Sequence, residues 1–459
     1  MSVKQLEEAL LSFYRRLPEG LKEATWVIAC SGGPDSVALL HIAHRLSKQG
    51  KLPQVRVIHV NHGLVEEADA WQRFVGNLAR HKAIPFDYER VKVVTTGQGI
   101  EAAAREARYR AFTRLSAKDE VIVLGHHLND QVETLLFRIM RGTSAHGLAG
   151  MAPLTEYRGR WIARPWLNVA RDVIMTAIND QGWQYVQDPT NDDFGFARNH
   201  IRHELVPLLE KVRPNARVNI ARTAQIMRDQ ADLLAELAEM DLSICLEYGA
   251  LRLDRYRNLS KRRRLNLLYH WWQRHAGPVR SYDWLADIDK ELSQISPDTK
   301  WQQTLADGRL IVGQGRAFLL PVDWQNQLRQ VDEEVIPRDE KVLQCGLWRI
   351  AFRQQAGAAA GLKWYPLAQV VKNKSLPWIA CWDGKHRPLK KLFQARKIPA
   401  FLRDFWPVVQ CQSGHYWLAG LGFSDVSVTG LFPQVESVSL VFDDRELKLI
   451  DKTNDIGGV

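Results

Sequence analysis

The chain has 459 residues, of which 46% are hydrophobic and 25% are charged, and its formal net charge is +10 at pH 7. This length exceeds one ordinary hydrophobic core and predicts two or three domains of a soluble globular protein. The positive charge favours a polyanionic partner, although composition alone does not separate RNA from DNA. No apolar run is long enough for a membrane span, so no membrane association is expected.

The N-terminal segment and the cysteines indicate a cytoplasmic protein. The first 17 residues carry acidic and basic side chains, and Leu6, Leu10 and Phe13 belong to one apolar helical stripe rather than to a signal peptide. The five cysteines are scattered and form no C-x-x-C pair, which argues against a zinc site and a disulfide framework. A homodimer is compatible with the sequence, which does not fix the oligomeric state.

A glycine turn lies between a predicted buried strand, Thr25–Cys30, and a predicted helix that includes Val37–Ala43. A helix N-terminus presents free N–H groups and the positive end of the helix dipole, and glycines let the backbone approach a phosphate closely. The turn therefore predicts an anion site. Its residues are Ser31, Gly32, Gly33, Pro34, Asp35 and Ser36.

This turn has neither the spacing nor the lysine of a Walker A loop, and the plainer interpretation is an ordinary strand-to-helix connection. The hexapeptide SGGPDS resembles the SGGxDS pyrophosphate loop, or PP-loop, of ATP-pyrophosphatases. Those enzymes cleave ATP between the α- and β-phosphates and form adenylated intermediates. The resemblance implies ATP as the cofactor and Mg²⁺ bound through Asp35.

The first half of the chain alternates between strand and helix patterns. Such repeated units predict an α/β fold with a doubly wound, mostly parallel sheet. Further strands are expected at 55–60, 86–94 and 121–124, and helices at 71–78, 101–115 and 132–139. In such sheets ligands bind beyond the carboxyl ends of the strands, so residues that follow each strand are site candidates.

The candidates there are His62 after the second strand, Arg105 and Arg108 on one helix face, and Asp130 and Glu133 after the fourth strand. Each has a plainer interpretation. The histidine can be a turn residue and the arginines a solvated surface. The two acidic residues have the spacing of a capping box, although their position beside the phosphate loop favours a functional role.

Several segments resemble tRNA(Ile)-lysidine synthetases. They are HVNHGL (59–64), EAAAREARYRAF (101–112), GHHLNDQVETLLFRIMRGTSAHGLAGM (125–151), RPWL (164–167) and DPTNDDFGFARNHIRHELVPLL (188–209). That family adenylates C2 of the wobble cytidine in the CAU anticodon of tRNA(Ile). The ε-amine of L-lysine then displaces AMP, which leaves lysidine and changes codon reading from AUG to AUA.

The resemblance implies a role for each candidate. The PP-loop would hold pyrophosphate, and Asp130 with Glu133 would bind the lysine ammonium, with one carboxylate also serving as base. Arg105 would act in catalysis, and Arg105 and Arg108 would offset phosphate charge or orient the lysine carboxylate. His62 would contact the substrate.

Three domains are expected: a PP-loop catalytic domain at 1–215, a helical, basic tRNA-binding domain at 216–330, and a β-rich C-terminal domain at 339–459. Leu233 is among the core candidates of the second domain, whose basic run 261–264 is either an RNA contact or a solvated face. Residues 325–338 are expected to be a linker. The segment 383–394 resembles the synthetase C-terminal domain, which would place Lys390 and Lys391 on the tRNA backbone.

The main alternative is a PP-loop tRNA thiolation enzyme, which shares the loop and the RNA substrate. Such enzymes carry sulfur on cysteines that are commonly paired, and this chain has no C-x-x-C. A small-molecule amide ligase would not need the basic second half, and a non-catalytic RNA-binding module would not need the loop with its carboxylates.

Overall fold

The computed structural model describes residues 2–63, 66–93, 100–188, 197–247, 249–277, 279, 281–296, 299, 301–305, 308–329, 342–345, 347–352, 363–367, 378–380, 386–396, 398–410, 416–419, 421–423, 435–442 and 445–451. The chain divides into two compact units, Met1–Leu233 and Leu234–Val459. No helix within the described ranges has both the length and the apolar character needed to cross a membrane.

The first unit is built on a mostly parallel sheet, as the alternating pattern predicts. In the described part of this unit its strands are β1 Trp26–Ala29, β2 Val55–Asn61, β3 Phe86–Arg90, β4 Val121–Val123, β5 Leu154–Tyr157 and β6 Arg160–Ala163. They lie in the order β3-β2-β1-β4-β6-β5, and every neighbouring pair is parallel except β5 with β6. The third strand is shorter than expected and ends at Arg90.

Helices cover both faces of this sheet because alternate strand residues point to opposite sides. On β1, Trp26 and Ile28 join a core with α1, α3 and α8, while Val27 joins a second core with Tyr109 and Phe112 of α5. The helices are α1 Ser2–Arg15, α2 Glu19–Lys22, α3 Pro34–Lys48, α4 Ala68–His81, α5 Ile100–Leu115, α6 Leu128–Met140, α7 Ala145–Leu148, α8 Arg171–Gln181, α9 Ala197–His200 and α10 Val206–Val212. A π-helical turn, Ile201–Leu205, joins the last two.

The strand order reverses at β1, which has β2 on one side and β4 on the other. Crossover connections leave opposite faces of the sheet at such a point and open a crevice at the carboxyl ends of the two strands. The loop 31–36 follows β1 and the segment 124–130 follows β4. The topology therefore brings the two polar segments identified in the sequence to one place.

The second unit contains the expected helices and also an antiparallel sheet that the sequence patterns did not predict. The order of that sheet is β7-β8-β11-β10-β9. The elements are α11 Ala216–Cys245, which begins in the first unit, β7 Leu246–Glu247, β8 Ala250–Arg252, α12 Leu253–Arg257, α13 Lys261–Ala276, α14 Tyr282–Gln294, β9 Trp301–Leu305, β10 Gly308–Gly313, β11 Arg316–Leu320 and α15 Trp324–Arg329.

Two predictions in this region need correction. Residues 325–329 belong to α15, whose Trp324 and Leu328 are buried, so the linker does not begin at 325; residues 330–338 lie outside the described ranges. Leu233 is 64% exposed, because α11 buries a face of small residues that includes Ala231 and Ala238. A residue two positions from Ala231 points to the opposite side of a helix.

The basic run 261–264 forms the first turn of α13, and half of it is structural. Arg263 forms an ion pair with the fully buried Asp241. Arg264 Nε donates to Asp289 Oδ1 at 2.7 Å, and that carboxylate also accepts from the Tyr256 hydroxyl at 2.5 Å. Buried carboxylates require such partners, so these two arginines hold helices together whatever the rest of the run does.

The C-terminal part is β-rich with antiparallel strands, as expected. Two sheets have the orders β12-β13-β20-β21 and β14-β17-β18-β19-β15-β16. The elements are β12 Val342–Cys345, β13 Trp348–Phe352, β14 Lys363–Pro366, β15 Trp378–Ala380, β16 His386–Pro388, α16 Leu389–Ala395, a 3₁₀ helix Ala400–Phe405, β17 Pro407–Gln410, β18 Tyr416–Leu418, β19 Gly422–Phe423, β20 Val435–Phe442 and β21 Arg445–Asp451.

The predicted domain boundary at 215 precedes α11, whereas the compact units meet at Leu233. The first turns of α11 pack on the catalytic unit through Ile220, beside Val132 of α6. Farther along, Arg228 Nη2 donates to the carbonyl oxygens of Ala149 and Met151 at 2.9 and 2.6 Å. These contacts explain why the N-terminal part of this helix groups with the sheet.

Candidate active site

The loop after β1 is held open as an anion cradle by its own hydroxyl groups. Gly33 is the N-cap of α3 and Pro34 occupies its first turn, where the missing N–H costs nothing. Ser36 Oγ donates to Gly33 O at 3.0 Å and accepts from the Ser31 N–H at 3.2 Å. Gly32 has φ +95°, which favours glycine, so the sequence pattern has a conformational cause.

Asp35 lies in the first turn of α3 with one unsatisfied oxygen. Its Oδ1 is buried and has no hydrogen-bond partner among the described residues, while His127 Nε2 lies 3.5 Å away. Magnesium in nucleotide enzymes takes one or two carboxylates and completes its shell with phosphate oxygens and water. No group of three potential metal-ligating side chains occurs in the described ranges, and Asp35 beside the loop fits that mode of binding.

The capping box at α6 involves different residues from those expected. His127 is the N-cap, its Nδ1 accepts from the Asp130 N–H at 3.4 Å, and Asp130 Oδ2 accepts from the His127 N–H at 3.0 Å. Asp130 is therefore the third helical residue of the box, and Glu133 lies outside it. The plainer interpretation, in which Asp130 and Glu133 form the box, therefore places the box one helical turn too far along the chain.

The electrostatic field around Asp130 keeps it ionised. Burial alone would raise the pKa of its carboxyl group, but His127, His126 and Arg198 together lower this pKa well below the ordinary range. His127 shows the complementary effect: burial would lower its pKa, but Asp130 and Asp35 raise it. His127 thus links the carboxylate of the phosphate loop with the carboxylate of α6.

Glu133 is 2% exposed and is bound by two arginines from the helical segment after residue 196. Arg198 Nε donates to Glu133 Oε2 at 2.9 Å, and Arg202 donates to both carboxylate oxygens at 2.8 and 3.1 Å. Arg198 Nη2 also lies 3.6 Å from Asp130 Oδ1. The basic side chains of Arg198 and Arg202 are therefore the counter-charge of the two acidic residues.

The arginines of α5 converge on one tyrosine. Arg105 Nη2 donates to the Tyr109 hydroxyl at 3.3 Å, and so does Arg164 Nη2 from the end of β6. Burial would raise the pKa of Tyr109, but Arg164, Arg105 and Arg108 lower it. Sequence reasoning identified two of these arginines and missed both Tyr109 and Arg164, although the tyrosine stands within the motif EARYRAF.

These segments line a cavity of about 510 Å³ at the switch point of the sheet. The cavity brings together most of the predicted site residues: the loop except Gly32, with Asp35, His62, Arg108 and Asp130. Arg105 and Glu133 are not part of its lining. Lining residues that the sequence did not single out are His59, Tyr109, His126, His127, Arg202 and His203.

Three histidines of the cavity, His59, His62 and His126, are weak bases. Burial lowers the pKa of His126 to about 3, and it also lowers the pKa of His59 and of His62. His59 Nδ1 lies 2.9 Å from Cys30 O, which fixes the ring against the start of the loop. At neutral pH these rings are therefore uncharged, and the fixed positive charge comes from arginines.

Two further predicted residues lie in the second unit. Lys390 and Lys391 occupy the first turn of α16, where both side chains are exposed, while Leu392 and Phe393 of the same helix are buried. Exposed lysines on a short, well-anchored helix are available for phosphate contacts. Their contact with RNA stays a prediction.

The described free cysteines are unsuited to sulfur chemistry. Cys30 is 1% exposed, and burial raises the pKa of its thiol. Burial and Asp241 raise the pKa of Cys245 to about 11. The thiolate is the reactive form of cysteine, so neither residue has the environment of a sulfur carrier.

A phosphate loop without a lysine at the switch point of a parallel sheet, with a carboxylate in its first turn, defines an ATP-using PP-loop enzyme. Residues 3–209 match the PP-loop domain family, and residues 379–430 match the TilS substrate C-terminal domain family. The chain therefore joins a PP-loop domain to a TilS substrate C-terminal domain.

Relatives identify the family to which the chain belongs. The chain is 33% identical over 396 residues to a tRNA(Ile)-lysidine synthase of Pseudomonas syringae pv. tomato, covering 84% of this chain and 86% of the relative. It is 37% identical to one of Pseudomonas aeruginosa, covering 84% and 87%, and 31% identical to one of Escherichia coli O157:H7, covering 83% and 89%. The chain belongs to the tRNA(Ile)-lysidine synthase family, whose members are ligases that form a C–N bond.

A solved U34-tRNA thiolase NcsA from Methanococcus maripaludis with its [4Fe-4S] cluster is 15% identical, with a TM-score of 0.41 over 49% of this chain and 80% of that chain. A likeness of this strength carries no argument for thiolation.

Proposed function

We propose that this chain uses ATP to join the ε-amine of L-lysine to C2 of the wobble cytidine in a CAU-anticodon tRNA(Ile), giving lysidine, AMP and pyrophosphate. The observation that carries the proposal is one cavity that combines a pyrophosphate loop with an ionised carboxylate, Asp130, in a chain of this family. The loop can bind the phosphates of ATP, and Asp130 can bind a cation in the same cavity. This arrangement suits a reaction that first adenylates the cytidine and then joins the cationic lysine to it.

In the first half-reaction the loop 31–36 binds the pyrophosphate part of ATP through backbone N–H groups at the start of α3. The C2 oxygen of cytosine is a poor leaving group, and its attack on the α-phosphate turns it into a good one. Arg108, which lines the cavity, offsets charge on the phosphates. Magnesium bound to Asp35 and the phosphates would supply further charge neutralisation.

In the second half-reaction Asp130 binds the ammonium group of lysine. Its lowered pKa keeps it a carboxylate at every working pH, so it offers a full negative charge to the cation. Glu133 supports this site by holding Arg198 and Arg202 in place. Direct binding of lysine by Glu133 would first require one of these arginines to move.

Four finer expectations belong to this proposal. Magnesium is the metal, L-lysine is the amino-acid substrate, the enzyme acts in the cytoplasm where tRNA is modified, and a homodimer is compatible with the proposal without being required by it. The tRNA backbone is bound partly by Lys390 and Lys391, whose charges are exposed on α16.

The direct experiment incubates the full chain with ATP, Mg²⁺, radiolabelled lysine and a CAU-anticodon tRNA(Ile). We expect label in the RNA, with one AMP and one pyrophosphate for each lysine incorporated. A tRNA whose wobble base is uridine is the matched control and should remain unlabelled. Transfer of sulfur, or ADP as the nucleotide product, would refute the proposal.

A further inference from the structure

The second half-reaction has a proton problem that the carboxylates do not solve. Free lysine carries an ammonium group with a pKa near 10.4, and only the neutral amine can attack C2. Asp130 is a poor proton acceptor because its pKa is lowered, and both oxygens of Glu133 already accept N–H donors from arginines. His126, with a pKa of about 3, is likewise too weak a base. His127 has a raised pKa, but its two ring nitrogens already face Asp35 Oδ1 at 3.5 Å and Asp130 Oδ2 at 3.4 Å, so they are not directed at the substrate.

Tyr109 is the cavity group whose geometry answers this need. It is 7% exposed, lines the cavity together with Asp130, and its hydroxyl oxygen receives one N–H from Arg105 and one from Arg164. Arg164 is itself fixed, since its Nη1 donates to Ala152 O and Thr155 Oγ1, each at 2.9 Å. Arg105 Nη2 donates to the same oxygen, and its guanidinium carbon lies 5.1 Å from the centroid of the Tyr109 ring. Two guanidinium groups that donate to one phenolic oxygen form a site for a phenolate.

A neighbouring tyrosine, Tyr157, lacks the arginine donors that contact the Tyr109 hydroxyl and hydrogen-bonds to a carboxylate instead. The Tyr157 ring lies 5.5 Å from the Tyr109 ring, between centroids, but its hydroxyl donates to both oxygens of Glu106 at 3.1 Å. Burial and Glu106 raise the pKa of Tyr157, whereas the arginines lower that of Tyr109. Tyr157 is absent from the described lining of the cavity.

We propose that Tyr109, as its phenolate, accepts the proton of the lysine ε-ammonium before the amine attacks the adenylated cytidine; this inference rests on the proposed function. The ammonium and the phenolate become an amine and a phenol. The amine nitrogen then bonds to C2, and the C2–O bond breaks as AMP leaves with its electron pair. The phenol returns its proton to water before the next turnover.

A phenol and an ammonium have similar ordinary pKa values, so a phenolate, even with a lowered pKa, is a closer match for this proton than a carboxylate is. The charged groups around Tyr109 are Arg105 and Arg108 from α5, Arg164 after β6, the Glu106–Tyr157 pair, and His126 after β4. The positive charges of the arginines outweigh the other groups, so the phenolate of Tyr109 forms at lower pH than it would in water. The rate of lysine transfer should therefore rise with pH as Tyr109 loses its proton and then level off.

The test separates the two half-reactions in the full-length protein. Pyrophosphate release without lysine reports adenylation, and single-turnover reaction of preformed adenylated tRNA with lysine reports transfer. For Tyr109→Phe we expect transfer at pH 7.5 to fall by roughly 10²–10⁴-fold, the usual contribution of a general base, while adenylation stays within about threefold of the parent. Tyr157→Phe, the matched control, should leave both rates and the pH profile unchanged.

The pH profile distinguishes a proton acceptor from a packing residue. The parent rate should level off at high pH, whereas the Tyr109→Phe rate should keep rising with hydroxide concentration. A fluorinated tyrosine at position 109, whose phenol is more acidic, should move the rising limb to lower pH. Parent-like transfer by Tyr109→Phe, an equal loss of both half-reactions, or an unmoved limb would each overturn the inference. Failure of the parent protein to transfer lysine would instead refute the proposed function.

Discussion

Replacing Asp130 by asparagine removes one negative charge from the cavity and leaves the start of α6 nearly intact. The amide oxygen of asparagine can still accept the His127 N–H that Asp130 Oδ2 accepts at 3.0 Å, so the fold should be retained. The lysine ammonium, however, loses a charged partner, and a hydrogen bond to a charged group contributes about 1.5–3 kcal/mol. Arg198, 3.6 Å away, also becomes less well neutralised and repels the incoming cation.

At about 1.4 kcal/mol for each factor of ten, this change should raise the apparent KM for lysine by about one to two orders of magnitude. The KM for ATP should change by less than about threefold, because the loop 31–36 is untouched. The assay is lysine incorporation into tRNA at saturating ATP, with lysine varied over four decades. A parent-like KM for lysine in Asp130→Asn would refute the assignment of the ammonium to this carboxylate.

Glu133→Gln is the matched comparison. Two arginines direct three N–H groups at Glu133, and a glutamine oxygen accepts at most two of them while its NH₂ group faces the third. We expect a local loss of about 1.5–3 kcal/mol, seen as faster hydrogen exchange in α6 and in residues 197–205, with a smaller effect on the KM for lysine. A lysine KM raised as much as in Asp130→Asn, with unchanged exchange, would mean that lysine binds Glu133 directly.

Three further predictions concern other parts of the chain. Neutralising Lys390 and Lys391 together should lower the slope of log affinity for tRNA against log salt by about 1.5–2, and an unchanged slope in a filter-binding titration would exclude phosphate contacts. A fragment that ends at Asn215 lacks the turns of α11 that pack on α6, so it should have a lower thermal midpoint than a fragment that ends at Leu233. Equal midpoints would contradict the contribution of α11 to the stability of the first unit. Burial lowers the pKa of His41 to about 4, so the folded state disfavours the charged form of this histidine. The resulting stability should be complete above pH 6.5 and should be lost as the pH falls towards 4. In His41→Phe the thermal midpoint should depend less on pH between 4 and 6.5, and an unchanged dependence would show that His41 does not cause it.

The sequence predicts the position of the loop 31–36 well because its signals are local. The loop 31–36 needs only a strand before it, a helix after it and glycines between, and these are readable within about twenty residues. The meeting of this loop with Asp130 follows from the strand alternation, since parallel strands place their carboxyl ends at one edge. Both inferences use general rules of sheet topology rather than side-chain detail.

The charge network around these residues could not be predicted in the same way. Arg198 and Arg202 contact Glu133 across 65 and 69 positions of sequence, and a basic run alone does not say which carboxylate it meets. His127 is an N-cap although histidine is not among the residues that favour that position, so the helix start was assigned too late. Sequence period identifies faces of helices, but it does not identify partners on other elements.

The exposed Leu233 shows a limit of hydrophobicity as a guide to packing. The helix α11 buries Ala224, Ala231 and Ala238, and small side chains of this kind let two elements approach closely. A search for large apolar residues therefore selects the wrong side of such a helix. The spacing of seven among the buried alanines was present in the sequence and marks the packed face.

Gly125 sets a distance at the centre of the site. A Cβ atom built on it would lie 3.0 Å from Asp35 O, 3.1 Å from Asp35 C and 3.3 Å from Ser36 N, all of them main-chain atoms that have no rotamer by which to move aside. Gly125, which follows β4, thus packs directly against the backbone of the loop. Because this glycine has no side chain, Asp35 can lie this close to the end of the strand. One added methyl group at this position would shift the loop by a few tenths of an ångström, which is enough to misalign reacting atoms whose rate depends on such distances. The small size of Gly125, which has only a hydrogen atom as its side chain, therefore sets the distance between β4 and the phosphate loop.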